Sequence, residues 1–216
     1  MAAFVFHAVP GSPYARPCYM ALAEKGAAFR IRALPPGGNR AAPHLARHPF
    51  GRVPTLEHGD FSLYETQAIL RYIDRVVPGP ALTPADPRAA ARMDQLMNIN
   101  DWYLFQGVNN VIGFQRIVAP RLFGTAPDEA VIAAAMPAAH RVIGELSRLL
   151  GAQDYFTGNV SLADLMLAAQ LDFLAQTPEW VALATPNLTI WLARMNARPS
   201  MQATTWQRTA EVAEAD

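Results

Sequence analysis

The apolar positions of this chain change their spacing along its length, and the changes mark out its elements. Phe4 to Val9 is a short, mostly apolar run closed by Pro10-Gly11, which predicts a buried strand. Ser12-Pro13 then offers a hydroxyl cap and a first-turn proline, so a helix is expected over Ala15 to Lys25, with Gly26 as its stop. Pro17 has no N–H to give, which is harmless only in a first turn, so this helix starts late, near Tyr14, or begins with a distorted turn. Phe29 to Leu34 alternates apolar and basic residues, the period of a half-buried strand. Pro35 to Asn39 is a loop, and a short helix over Ala42 to Arg47 leads into the Pro49-Phe50-Gly51 turn. Val53 to His58 and Phe61 to Tyr64 read as two strands joined by Gly59-Asp60. From Glu65 to Val77 the period becomes helical, with Ala68, Ile69, Tyr72, Ile73 and Val76 on one stripe. The order predicted up to Val77 is β-α-β-α-β-β-α.

A stiff linker follows, with Pro78, Pro80, Pro84 and Pro87 close together. We therefore expect one domain over residues 1–78, a linker over 79–87 and a second domain over 88–216. The second domain reads as helix throughout. Its segments are Arg88 to about Val118 (kinked at Gly107 or Gly113), Asp128 to Leu150 (bent or broken at Pro137), Ser161 to Ala175, and Pro186 to Ala197. Pro120 to Pro127 reads as a loop, and the tail past Pro199 has weak periodicity despite Trp206. Ser161 and Asp164 have the spacing of a reciprocal helix cap, worth about 1 kcal/mol or more.

Composition narrows the function classes. Hydrophobic residues make up 51% of the 216, enough for a substantial core. Lys+Arg and Asp+Glu balance at 18 each, so no basic face for nucleic acid or an anionic membrane is implied. The first residues lack a basic region ahead of a long apolar run, so no signal peptide is expected, and no apolar stretch approaches the ~20 residues of a membrane span. The single cysteine, Cys18, excludes an internal disulfide framework and fits a reducing cytosol. Flanked by Tyr19 inside a helix, it reads as a buried structural thiol rather than a nucleophile. His44 and His48 are four apart but lack a third ligand, so no metal site is expected.

The candidate chemistry lies between His48 and Thr66. A Val-Pro pair ahead of a strand can hold one backbone amide and carbonyl out of the ladder, where an extended peptide can pair with them. Glu65-Thr66 at a helix start can hold an ammonium and a carboxylate. This pattern suits a small thiol peptide such as glutathione. Taken by itself, Ser12 is an N-cap; equally, a hydroxyl at a strand end beside a helix N-terminus can donate to a thiolate. Tyr14 is its rival for the sulfur.

Three motifs, in this order, resemble the cytosolic glutathione transferases. They are Gly11-Ser12-Pro13-Tyr14 with Ala21 to Gly26; Pro49-Phe50-Gly51-Arg52-Val53-Pro54 through Leu63-Tyr64-Glu65-Thr66-Gln67-Ala68-Ile69; and Ser161-Leu162-Ala163-Asp164. The middle motif is most similar to plant-type phi and related bacterial members. The resemblance implies a thioredoxin-like N-terminal domain with a mixed four-stranded sheet, then an all-helical bundle. It implies glutathione S-transferase activity of the detoxification kind, joining glutathione to small apolar electrophiles with no further cofactor, in a cytoplasmic homodimer with Phe50 as a plug at the contact. Ser12 would be the catalytic hydroxyl. Asn39, Arg40, Arg52, Val53, Pro54, Glu65 and Thr66 would hold glutathione, with Val53-Pro54 in cis. Thr66 stands where the family usually has serine, and Asn39 and Arg40 stand where plant-type relatives carry His and Lys. Tyr14, Phe105 and Asn109 would face the electrophile. Two alternatives stay open: a binding protein of the same fold with little turnover, or a glutathione-dependent peroxidase.

Overall fold

The computed structural model describes residues 3–215, which divide into two units. The first unit holds the described residues up to Thr83 together with those from Ala197 onward; the second runs from Pro84 to Asn196.

In the first unit the elements are β1 (Phe4–Ala8), α1 (Arg16–Glu24), β2 (Phe29–Ala33), a 3-10 turn (Gly38–Arg40), α2 (Ala42–Arg47), β3 (Thr55–His58), β4 (Phe61–Tyr64) and α3 (Thr66–Val76). β1 pairs parallel with β2 (Phe4 opposite Phe29) and antiparallel with β3 (Phe4 opposite His58), and β4 closes the hairpin onto β3. This is the expected thioredoxin-like order. Helix α1 begins at Arg16, with Pro17 inside its first turn, so the missing N–H costs nothing. Helix α3 buries Ile69, Leu70 and Ile73 completely, at roughly 1.5–3 kcal/mol for each apolar side chain. Lys25, at the end of α1, donates to the Val77 and Pro80 carbonyls (3.2 and 2.9 Å) and pairs with Asp74 at 2.9 Å. The ends of α1 and α3 are thus tied to the start of the linker.

The tail departs from expectation. It forms α10 (Pro199–Ala203), α11 (Trp206–Val212) and a two-residue strand β5 (Glu214–Ala215), which pairs parallel with β2. The sheet order is β4-β3-β1-β2-β5, so the four strands expected near the N-terminus gain a short fifth one. Residues from Ala197 onward therefore belong with the first unit and not with the helical domain over 88–216. The cause is polar and far apart in sequence. Arg198 donates twice to the Glu24 carboxylate (2.8 and 2.7 Å), Ser200 donates to the same group, and Arg16 Nη2 donates to the Met201 carbonyl at 3.1 Å.

The second unit contains α4 (Pro87–Ile99), a π-helical stretch π1 (Asn100–Val118), α5 (Ala119–Phe123), α6 (Glu129–Leu150), α7 (Leu162–Leu174), α8 (Trp180–Leu183) and α9 (Pro186–Asn196). The expected kink at Gly107 or Gly113 is replaced by a wider helical register; at its end the Ala119 N–H reaches back five residues to the Phe114 carbonyl. Gly113 lets π1 approach α7, since a Cβ there would stand 2.3 Å from Phe173 Cε1. The helix continues through Pro120 to Phe123, where a loop was expected, and α6 runs unbroken through Pro137. The Ser161–Asp164 cap is present at the start of α7. Asp164 is fully buried and takes four donors: Phe156 N–H (3.1 Å), Ser161 N–H (3.0 Å), Ser161 Oγ (2.8 Å) and Trp191 Nε1 (3.0 Å).

Candidate active site

Ser12 sits in the turn between β1 and α1. Its N–H donates to the Val9 carbonyl at 3.0 Å, and its Oγ accepts from the Tyr14 and Ala15 N–H groups, both at 3.3 Å. An oxygen that accepts twice still has its own O–H to donate. The cap is thus compatible with a donor role for the same hydroxyl, half-buried at the mouth of α1. Cys18, deeper in α1, is completely buried; burial pushes its thiol far above the usual range, against a backbone hydrogen bond that pulls it down. This leaves it no thiolate character for nucleophilic work.

The start of α3 is fastened to the same turn. Thr66 Oγ1 donates to the Tyr14 carbonyl at 3.0 Å, so its single hydroxyl proton is already spent on the protein. Of the two Thr66 groups expected to be able to hold a carboxylate, the hydroxyl is thus engaged by the protein, and the backbone N–H stands at the first helical position. Glu65, ahead of it, is exposed and has φ +72°, the only positive φ outside glycine among the described residues. Such a backbone costs about 1–3 kcal/mol, and strain of this kind gathers where a side chain must be aimed at a ligand.

The third wall is the loop before β3. The Val53–Pro54 peptide is cis, and β3 begins only at Thr55, so Val53 stands outside the ladder. Two side chains brace this shelf from behind. His44 Nε2–H donates to the Arg52 carbonyl at 2.7 Å, and Asn39 Nδ2 donates to the Gly51 carbonyl at 2.7 Å. Asn39 is thus engaged as a brace within the protein, while the Arg40 and Arg52 side chains are exposed. His44 was passed over when its spacing to His48 was read as a metal question; its use lies in its carbonyl acceptor, eight residues away. Among the described residues no group of three or more His, Cys, Asp or Glu could hold a metal. His48 is buried against Tyr64, ring centroids 4.6 Å apart. Burial holds its imidazole below the usual value, with Glu65 opposing and His44 and Arg52 adding to the effect.

The first unit therefore gathers Ser12, Tyr14, Glu65 and Thr66 through one hydrogen bond, and Asn39, Arg40, Arg52, Val53 and Pro54 through two. The remaining two residues lie on π1. Phe105 is half-buried there. Asn109 is only 2% exposed, and its Nδ2 donates to the Gln170 carbonyl (2.9 Å) and Oε1 (2.7 Å), so it is a core contact with α7 and not a lining residue. Trp206, from the tail, lies against the same turn: a Cβ built on Gly11 would meet its Cδ1 at 2.2 Å.

The chain thus comprises a thioredoxin-like unit carrying a cis Val-Pro shelf and a helical unit with a buried Ser/Asp cap. Comparison with known proteins agrees. Residues 6–81 match the glutathione S-transferase N-terminal domain and residues 111–199 match its C-terminal domain, leaving the tail past 199 outside both. The chain is 33% identical over 189 residues to a probable glutathione S-transferase of Oryza sativa subsp. japonica, across 86% of this chain and 87% of that one. It is 31% identical to glutathione S-transferase 3 of Zea mays, across 94% of each. Among solved structures, maize glutathione S-transferase I in complex with an atrazine glutathione conjugate superposes with a TM-score of 0.84 at 27% identity, covering 98% of this chain and 100% of that one. This chain belongs to the glutathione S-transferase family.

Proposed function

We propose that this protein is a glutathione transferase that holds the tripeptide along the Val53–Pro54 shelf and steadies its thiolate through Ser12. The Thr66-to-Tyr14 hydrogen bond carries this reading, because it locks the end that would hold the γ-glutamyl group to the turn bearing the hydroxyl. In this scheme Val53 N–H and C=O pair with the cysteinyl backbone. Glu65 takes the γ-glutamyl ammonium and the Thr66 N–H its carboxylate. Arg40 and Arg52 supply the charge for the glycyl carboxylate, and Asn39 keeps their loop in place. A free thiol has a pKa of about 8.5, so few molecules are thiolate at neutral pH, and each unit of lowering is worth about 1.4 kcal/mol. The Ser12 O–H and the positive end of α1 both act in that direction. The thiolate then attacks the chlorine-bearing carbon of an apolar electrophile such as a chloronitrobenzene, the C–S bond forming as chloride leaves, with Tyr14 as a wall.

The test is conjugation of glutathione to a chloronitrobenzene by the wild type and Ser12→Ala. The variant should lose most of its turnover while still binding glutathione; equal turnover would remove Ser12 from the mechanism. The two N–H bonds already accepted by Ser12 Oγ are what a purely structural cap would show, and they favour a carrier of glutathione or apolar ligands as the second reading. A peroxidase would need the same thiolate. We further propose a cytosolic homodimer. The family pairs small domain against large, and Phe50, 71% exposed on the turn before the shelf, suits an anchor at such a contact. Among the described residues no helix is long and apolar enough to cross a membrane.

A further inference from the structure

The tail past Pro199 ends beside the turn that carries Ser12. Gly11, one residue earlier, has φ +84°, and the Trp206 indole lies so close to it that any Cβ would collide with the ring at 2.2 Å. The indole is held from both directions along the chain. Ahead of it, Arg198 and Ser200 grip Glu24 at the end of α1, and Arg16, the first residue of α1, donates to the Met201 carbonyl. Behind it, β5 joins the edge of β2, with Arg32 and Glu214 paired at 2.8 Å. Thr205 caps α11 by accepting from the Arg208 N–H at 3.3 Å, which fixes Trp206 as the first helical residue. Both elements that the tail grips, α1 and β2, flank the β1–α1 turn. Trp206 remains 39% exposed, so its place against Gly11 is more than a matter of filling the core.

We propose that the C-terminal segment is a clamp on the Gly11–Tyr14 turn, with Trp206 as the positioning residue that sets where the thiol-activating hydroxyl stands. The clamp deepens the functional reading above and rests on it. It touches no substrate atom; its effect passes through the backbone of Gly11 and the turn bond from Ser12 N–H to Val9. Loss of the indole frees the turn to shift, and displacement of a catalytic group by about 1 Å can cost as much as a hundredfold.

The experiment uses the full chain and compares wild type, Trp206→Ala, Trp206→Phe and Ser12→Ala, with Val181→Ala as a surface control. Turnover of glutathione with a chloronitrobenzene is measured against pH. The clamp predicts that in Trp206→Ala the acid limb of kcat/KM moves up by about one pH unit, a loss of about tenfold at neutral pH, while KM for glutathione changes less than about twofold. Trp206→Phe should restore most of it, and Val181→Ala should match wild type. If Trp206→Ala lowers only the melting temperature and leaves the pH profile in place, the clamp is overturned. Should that variant not fold, Trp206→Leu takes its place, and a wild-type pH profile in Trp206→Leu overturns the clamp equally. Ser12→Ala separates the two ideas. An inactive Ser12→Ala beside an unmoved Trp206→Ala defeats the clamp alone. A fully active Ser12→Ala defeats the Ser12 mechanism and the clamp's positioning role with it, whatever the limb does in Trp206→Ala.

Discussion

Replacing Asp164 by alanine takes the acceptor away from four buried donors at once. The Phe156 and Ser161 N–H groups and the Trp191 indole N–H each donate to this carboxylate from fixed positions, whereas the Ser161 hydroxyl can rotate. A buried donor left unsatisfied costs about 1–3 kcal/mol, so three of them amount to roughly 3–9 kcal/mol. Against this, the substitution removes a carboxylate that is costly to bury. Burial pushes the Asp164 acid above its ordinary value even though all four donors pull it down. We expect a net loss of about 4 kcal/mol, which at an m-value of roughly 2.5 kcal/mol per M of urea moves the midpoint down by roughly 1.6 M. Asp164→Asn keeps Oδ1 for Phe156 and Trp191 but turns an amide toward the Ser161 N–H, and should lose about half as much. Equilibrium urea unfolding at neutral pH, followed by tryptophan fluorescence, reads both. A loss below about 1 kcal/mol in the alanine variant would refute the idea that this carboxylate organises the start of α7.

Three further outcomes follow from the same reasoning. Glu65→Gly relieves the φ of +72° and should stabilise the fold by about 1 kcal/mol, while raising KM for glutathione at least tenfold; paired denaturation and kinetic measurements would show the two effects with opposite sign. His48 has a folded value below its unfolded one, so the unfolded chain takes the proton first. Its contribution to stability is full above the unfolded imidazole value of about 6.5 and is lost as pH falls through the folded value, and urea midpoints between about pH 7 and pH 5 should fall less steeply in His48→Gln. Gly113→Ala drives a methyl into Phe173 and should cost about 1–3 kcal/mol despite alanine's better helix propensity, measurable as a lower melting temperature.

The first unit was legible because its signals are local. Period-2 and period-3.6 stretches, the Gly59-Asp60 turn and the Val53-Pro54 pair all act within a few residues, and each produced the element expected of it. The Ser161/Asp164 spacing was legible for the same reason, although the further donors to Asp164, from Phe156 and Trp191, were not. The tail was misassigned because its place depends on Glu24 and Arg16, which meet Arg198, Ser200 and Met201 across more than 170 residues. Two short helices with mixed polarity carry no periodic trace of such contacts. Asn109, expected to face the electrophile, instead bonds Gln170, 61 residues on, a partner that spacing along one helix cannot reveal. At the candidate site, Asn39 and the Thr66 hydroxyl donate to the protein's own carbonyls, whose positions 12 and 52 residues away leave no local trace in the sequence.

The central claim is that the turn carrying Ser12 acidifies a bound thiol. It is tested most directly by titrating glutathione bound at saturation and following thiolate absorbance in the ultraviolet. The account predicts a midpoint at least one unit below that of free glutathione in the wild type, returning to the free value in Ser12→Ala. Bound glutathione that stays protonated up to the free midpoint in the wild type would contradict it.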